Sequence, residues 1–193
     1  MRHAPALAIL AAVASAQVTV NVAQQLQEIH GFGVSQAFGR AAELRDLISK
    51  ELTAQALDLM FNRTTGAGLS IIRNRIGSGE AADNMILANP GGPNAKPNYK
   101  WDGNDQGQVW FSHQAMRYGV KTIYADAWSA PGFMKTNGNQ ANGGYLCGTP
   151  GHNCASGDWK KAYADFLLQY VKFNAQEGIP VTHLGFLNEP DLT

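Results

Sequence analysis

Strand-like and helix-like segments alternate along this chain, and the connections that follow the strand-like segments are long, polar and rich in glycine. Residues 28–33 read as a short strand running into a turn. A helical region follows over 41–61, broken near Ser49, with Thr53 placed to cap a segment in which Leu57, Met60 and Phe61 recur at helical spacing. Gly66 and Gly68 interrupt the chain before a second strand over 69–76, and a loop over 77–104 comes next. Asp105 is placed to cap a helix that Gly119 ends, before a third strand over 121–125. Trp159, Ala162, Tyr163, Phe166, Leu167, Tyr170 and Val171 then form an apolar helical stripe. Asp158 can cap that helix, and Gly178 and Pro180 stop it. A fourth strand is expected over 181–187.

Four strands separated by helices argue for an α/β fold with a parallel sheet of βαβ units. A doubly wound sheet and a barrel share that pattern, but no G-x-G-x-x-G turn follows the first strand. Strands two, three and four start at 69, 121 and 181, and the length between them lies mostly in the strand-to-helix loops. Those are the loops that build the active-site face of a TIM (β/α)8 barrel. Such a barrel usually takes about 250 residues, so the expectation is its first half, about four βα units over 28–193.

Residues 1–16 are expected to be a signal peptide. Arg2 and His3 are basic, an apolar run covers 6–13, and Ala14-Ser15-Ala16 offers small residues for cleavage. The run is shorter than the roughly 20 residues a membrane-spanning helix needs. A secreted, extracellular chain gives Cys147 and Cys154 an oxidising compartment, and their short Gly/Asn/Pro-rich separation suits a disulfide. Asn62-Arg63-Thr64 is an acceptor pattern for glycosylation. Residues 17–27 read as a strand, over 18–22, and a linker. With 15 Lys and Arg against 15 Asp and Glu there is no basic excess, which argues against nucleic acid as a partner. No further apolar stretch suggests a membrane, and no His pair lies at metal-binding distance from the cysteines, so no metal is expected.

Candidate chemistry gathers at strand ends. Leu187-Asn188-Glu189-Pro190 closes the fourth strand, where a carboxyl group would project into a substrate cleft. Pro190 is expected to hold Glu189 extended. Asn188 can donate to a sugar hydroxyl. Hydrolysis of a glycoside normally needs two carboxyl groups flanking the scissile bond, and Glu189 is a credible first. Asp126, after the third strand, reads better as a hydrogen-bonding residue than as a nucleophile. Arg73 and Arg75 alternate and so share one face of their strand; Arg73 can orient a carboxylate or a sugar, or form a structural salt bridge. Trp128 offers a flat face to a pyranose ring. His30 and His113 read as structural.

Taken with Gly31-Phe32-Gly33-Val34-Ser35-Gln36-Ala37-Phe38, Gly66-Ala67-Gly68-Leu69-Ser70-Ile71-Ile72-Arg73, Trp128-Ser129-Ala130-Pro131 and Met134-Lys135-Thr136-Asn137-Gly138, the Asn188-Glu189-Pro190 segment resembles glycoside hydrolase family 30 over most of residues 28–193. The resemblance implies retaining β-glycosidase chemistry without a cofactor. Glu189 would be the acid/base, Asn188 the residue binding the hydroxyl next to the anomeric carbon, and Arg73 the active-site arginine after strand two. It puts the nucleophilic glutamate on strand seven, to which nothing here corresponds. It also implies a β-sandwich side domain to which 18–22 could contribute. The Ser35-to-Ala41 segment is similar to fungal members acting on glucuronic-acid-bearing xylans, and Arg40 could pair with the uronate. The expected substrate is β-linked plant polysaccharide, (glucurono)xylan first. A β-1,6-glucanase or β-1,6-galactanase is the nearest alternative, and a non-catalytic secreted carbohydrate-binding protein a more distant one. The full-length enzyme is expected to be a monomer; residues 17–193 alone are expected to fold poorly and be inactive, because a half barrel leaves strand edges open.

Overall fold

A computed structural model of the chain describes residues 18–19, 21–79 and 84–190. The expected signal peptide lies outside the described residues. The chain divides into two compact units, Met1–His30 and Gly31–Thr193. In the first, the described residues of 18–22 form no strand. Asn21 instead starts a turn in which its side-chain oxygen accepts the Ala23 N–H at 3.1 Å, and Val18 and Val22 stay exposed.

Among its described residues the second unit holds four strands, β1 (Gly33–Ser35), β2 (Ile71–Ile76), β3 (Thr122–Ala127) and β4 (His183–Gly185), all parallel and in the spatial order of the sequence. Helices α1 (Arg40–Asp46) and α2 (Lys50–Phe61) lie between β1 and β2, α3 (Gln108–Arg117) between β2 and β3, and α4 (Lys160–Gln176) between β3 and β4. Sequential order without reversal is the winding of a barrel, whereas a doubly wound sheet reverses at its switch point. The fold is α/β, a partial (β/α) barrel.

All four helices cover one face of the sheet. Ile72 and Ile123, paired in register, pack with Ala41, Leu57, Phe61, Phe111 and Ala115. Further along the same face Ile76, Ala125 and Ala127 pack with Trp159, Tyr163, Phe166 and Tyr170 of the α4 stripe. The alternate positions, Arg73 and Arg75 on β2 and Tyr124 and Asp126 on β3, point to the other face. Apolar burial on one side thus turns the polar, aromatic residues toward the barrel axis.

Several boundaries differ from the sequence expectation. β1 lies at 33–35 rather than 28–33, where Gly33 pairs with Ile71; a Cβ on Gly33 would come within 2.5 Å of the Ile71 carbonyl oxygen. The break in the first helical region falls where expected, but Ser49 caps α2, accepting the Leu52 N–H at 3.3 Å. Thr53 lies inside that helix, and its hydroxyl donates to the Leu44 carbonyl at 2.9 Å, tying α2 to α1. Asp105 does not cap α3. It stands at φ 50° in a tight turn ahead of the helix, with its carboxylate turned inward to the Tyr170 hydroxyl (2.6 Å) and the Gln108 amide (2.7 Å). Asp158 does accept the Lys160 N–H, at 3.0 Å, at the start of α4.

Gln108 explains why β2 outruns β1. Pairing with β1 stops at Arg73, which leaves the Arg75 backbone without a strand on that side. The Gln108 side chain fills the place: its oxygen accepts the Arg75 N–H at 2.7 Å and its nitrogen donates to the Arg75 carbonyl at 2.9 Å. A carboxamide here does the work of a peptide group, so neither buried backbone group is left unpaired.

Candidate active site

Because the strands are parallel, every strand-to-helix connection leaves the same edge of the sheet, and the candidate site forms there. Arg73 is its centre. Its Nη2 donates to Oδ2 of Asp126 in an ion pair and to Oδ1 of Asn188 at 2.5 Å. Asp126 is buried, and Arg73 keeps roughly a quarter of its side chain open. An arginine only donates, so the Asn188 oxygen must face it, and the Asn188 NH2 is left to point elsewhere as a donor. The guanidinium carbon lies 4.4 Å from the Trp128 ring centre and 5.8 Å from that of Tyr124.

A second layer backs the first. Arg75 lies 4.8 Å from the Phe38 ring centre and 5.6 Å from that of Trp128, and the two rings meet edge to face at 5.3 Å. The alternating arginines of β2 thus share Trp128 between them. Phe38 is exposed and stands at φ 62°, a left-handed conformation that costs a side-chain-bearing residue about 1–2 kcal/mol. Burial, then the Asp126 carboxylate, pushes the Tyr124 hydroxyl above its ordinary pKa. Gly185 of β4 leaves room for this pair: a Cβ there would lie 2.1 Å from Asp126 Oδ1 and 2.2 Å from the Tyr124 hydroxyl.

β4 ends at Gly185, two residues short of its expected end, and the chain bends at Phe186. The bend is fixed from below by Tyr163 of α4, whose buried hydroxyl donates to the Phe186 carbonyl at 2.6 Å; burial and then the nearby Asp126 charge raise that hydroxyl's pKa. Asn188 follows, partly buried on Arg73. Glu189 is exposed, and its backbone has φ 48°, not the extended conformation expected ahead of Pro190. A following proline disfavours the right-handed helical region, and the turn leaving Asn188 takes the left-handed alternative. Among the described residues its carboxylate has no hydrogen-bond partner.

The structure therefore brings Arg73, Asp126, Trp128 and Asn188 together, with Glu189 adjacent in the chain. It does not join Arg40 to them: that side chain is exposed at the start of α1 and pairs with Glu43 at 2.5 Å. Phe38, Arg75 and Tyr163 complete the arrangement. Sequence reasoning put Arg75 on the correct face, but placed Tyr163 only in the apolar stripe of its helix and Phe38 only within a family-like segment, neither of them in the site. The one local signal for Phe38 was an aromatic residue against Gly39 directly after a strand. Cys147 and Cys154 form the expected disulfide in the loop after β3, with Cα atoms 5.4 Å apart. Asn62 closes α2: its oxygen accepts the N–H groups of Thr64 and Thr65, and its nitrogen donates to Asp58 at 2.7 Å.

The sequence model of O-Glycosyl hydrolase family 30 matches residues 15–193. The chain belongs to that family. The catalytic domain of the family 30 xylanase C from Talaromyces cellulolyticus is 56% identical, with a TM-score of 0.83; the match covers 86% of this chain and 38% of that one. Endo-1,6-beta-D-glucanase BGN16.3 of Trichoderma harzianum is 26% identical over 177 residues, 85% of this chain and 34% of that protein. The endo-beta1,6-glucanase BT3312 shares the fold, with a TM-score of 0.63 at 21% identity over 88% of this chain and 37% of that one. The chain spans about a third of the length of the curated relatives it matches.

Proposed function

We propose that this chain carries the acid/base half of a secreted, retaining glycoside hydrolase acting on β-linked plant polysaccharide, with (glucurono)xylan as substrate. The observation that carries the reading is the Arg73–Asn188 contact. It fixes the Asn188 carboxamide with its NH2 turned away from Arg73, directly beside the glutamate, at the edge where the strands end. Glu189 protonates the departing glycosidic oxygen while a carboxylate nucleophile attacks the anomeric carbon. The same residue, now ionised, takes a proton from the water that releases the sugar. Asn188 donates to the neighbouring sugar hydroxyl, and Trp128 offers its ring to the sugar's apolar face. Arg73 holds both in place.

Xylan is favoured because the 56%-identical relative is named a xylanase. A β-1,6-glucan is the second reading, supported by the fungal endo-1,6-glucanase likeness. Arg40 is proposed to leave Glu43 and pair with a uronate side group, an exchange that its exposure permits. Secretion is supported by the disulfide and by residues 1–16; among the described residues no helix is long and apolar enough to cross a membrane. Glycosylation at Asn62 is compatible with its cap, since a glycosylated amide keeps one N–H for Asp58. The full-length protein is proposed to act as a monomer.

The test is hydrolysis by the product of the complete reading frame on glucuronoxylan, undecorated xylan, β-1,6-glucan and β-1,6-galactan. Release of xylo-oligosaccharides supports the reading, and Arg40→Ala should slow glucuronoxylan selectively. Equal slowing on undecorated xylan contradicts the role of Arg40. Binding without hydrolysis of any polymer would identify a carbohydrate-binding protein instead.

A further inference from the structure

The loop between β3 and α4 carries a second aromatic surface that the site above does not use. Tyr145 and His152 stack face to face, with ring centres 3.6 Å apart and planes within 5° of parallel. The stack sits on a rigid frame. The Cys147–Cys154 disulfide closes the loop that carries His152, and Tyr145 lies two residues ahead of it. Gly148 donates its N–H to the His152 carbonyl at 2.9 Å, and His152 its own to Thr149 at 2.9 Å. The Tyr145 backbone is held on both sides by Thr136, through N–H to carbonyl at 2.8 Å and N–H to hydroxyl at 3.0 Å. Lys135, the residue before Thr136, donates to the Ser129 hydroxyl at 3.0 Å, next to Trp128. Backbone pairing and one ammonium thus tie the stack to the segment that begins with the candidate site's tryptophan.

Tyr145 hides one ring face, against the half-buried His152, and is 58% exposed. The imidazole fixes the ring plane, so its open face is offered in one orientation with little entropy left to lose on binding. A flat, rigid, open aromatic face with a polar rim takes the apolar face of a pyranose ring. We propose that Tyr145, braced by His152, is an outlying sugar-stacking surface of the same polysaccharide-binding edge, engaged by long chains and not by short ones. The inference rests on the proposed function for its ligand class. It shares no side-chain partner with the Trp128–Phe38 pair.

The test compares the product of the complete reading frame with its Tyr145→Ala, Tyr145→Phe and His152→Ala variants, on polymeric glucuronoxylan and on xylotriose. Tyr145→Ala should lower kcat/KM on the polymer about 3- to 10-fold and on the trimer less than about 2-fold. Tyr145→Phe, which keeps the ring, should stay near the parent, and His152→Ala should fall between. Equal losses on both substrates, or no loss on the polymer, overturn the inference. If the parent hydrolyses neither substrate, the proposed function fails, and electrophoresis through gels containing glucuronoxylan or β-1,6-glucan decides the surface separately. Retardation of the parent by either polymer, lost in Tyr145→Ala, supports it. Equal mobility of the two overturns it.

Discussion

Removing the Arg73 side chain tests the geometry of the site without touching the proposed acid/base. In the parent only 3% of the Asp126 side chain is exposed, and Arg73→Ala removes the cation that pairs with it there. Stripping one partner from a fully buried ion pair costs about 3–5 kcal/mol. Arg73 is 28% exposed, so water can enter the vacated space, and the Tyr124 hydroxyl remains as a donor. The expected cost in the product of the complete reading frame is therefore about 2–3 kcal/mol, read as a lowered Tm and urea midpoint. Asp126→Asn removes the charge but keeps the shape, and leaves Arg73 bound to Asn188 and solvent, at about 1 kcal/mol. The double variant leaves neither charge of this pair behind and should be less destabilised than the sum of the two by about 1 kcal/mol or more. Thermal and urea denaturation of the four proteins measure this cycle. A loss below about 0.5 kcal/mol in Arg73→Ala, or strict additivity in the cycle, would refute the account of Arg73 as the counter-ion that positions Asn188.

Gln108→Leu is close to isosteric yet strips both partners from the Arg75 backbone, so it should cost about 2–4 kcal/mol, read by urea titration. Loss within the range of an ordinary surface change would show that the side chain does not substitute for a strand. Tyr163→Phe should lose about 1 kcal/mol near neutral pH with the Phe186 bond. The Tyr163 hydroxyl has a raised pKa, so its contribution is fully present below the ordinary tyrosine value of about 10 and is lost as pH climbs toward the raised folded value. The parent should therefore lose stability over that alkaline range more steeply than Tyr163→Phe; parallel curves contradict this.

The alternation of strands and helices was legible because burial writes itself into periodicity: the α4 stripe of Tyr163, Phe166, Leu167 and Tyr170 is the buried face observed. Strand ends were less legible, since pairing sets them. β4 stops at Gly185 although the apolar run continues through Leu187. Asp105 was misread for a related reason. As a residue before a helix it resembles a cap, but Tyr170, 65 positions away, claims its carboxylate, and no local pattern records that contact. The site was half legible. Alternation put Arg73 and Arg75 on one face, and the strand-end position singled out Asn188 and Trp128. The stacking of Phe38, Arg75 and Trp128 depends on three separate loops and strands meeting, and the left-handed backbone of Glu189 on the bend that Tyr163 holds. Both are tertiary facts.

The central claim is that Glu189 supplies the proton for the leaving group, and substrates that differ in leaving-group acidity test it most directly. Glu189→Gln in the product of the complete reading frame should lose about 10²–10⁴-fold on polymeric xylan, the usual contribution of a general acid. On an aryl β-xyloside whose phenolate leaves without protonation, the step that forms the glycosyl-enzyme should be almost unimpaired, seen as a burst of phenolate ahead of slow turnover. Equal loss on both substrates in that first step, or full activity on the polymer, contradicts the assignment.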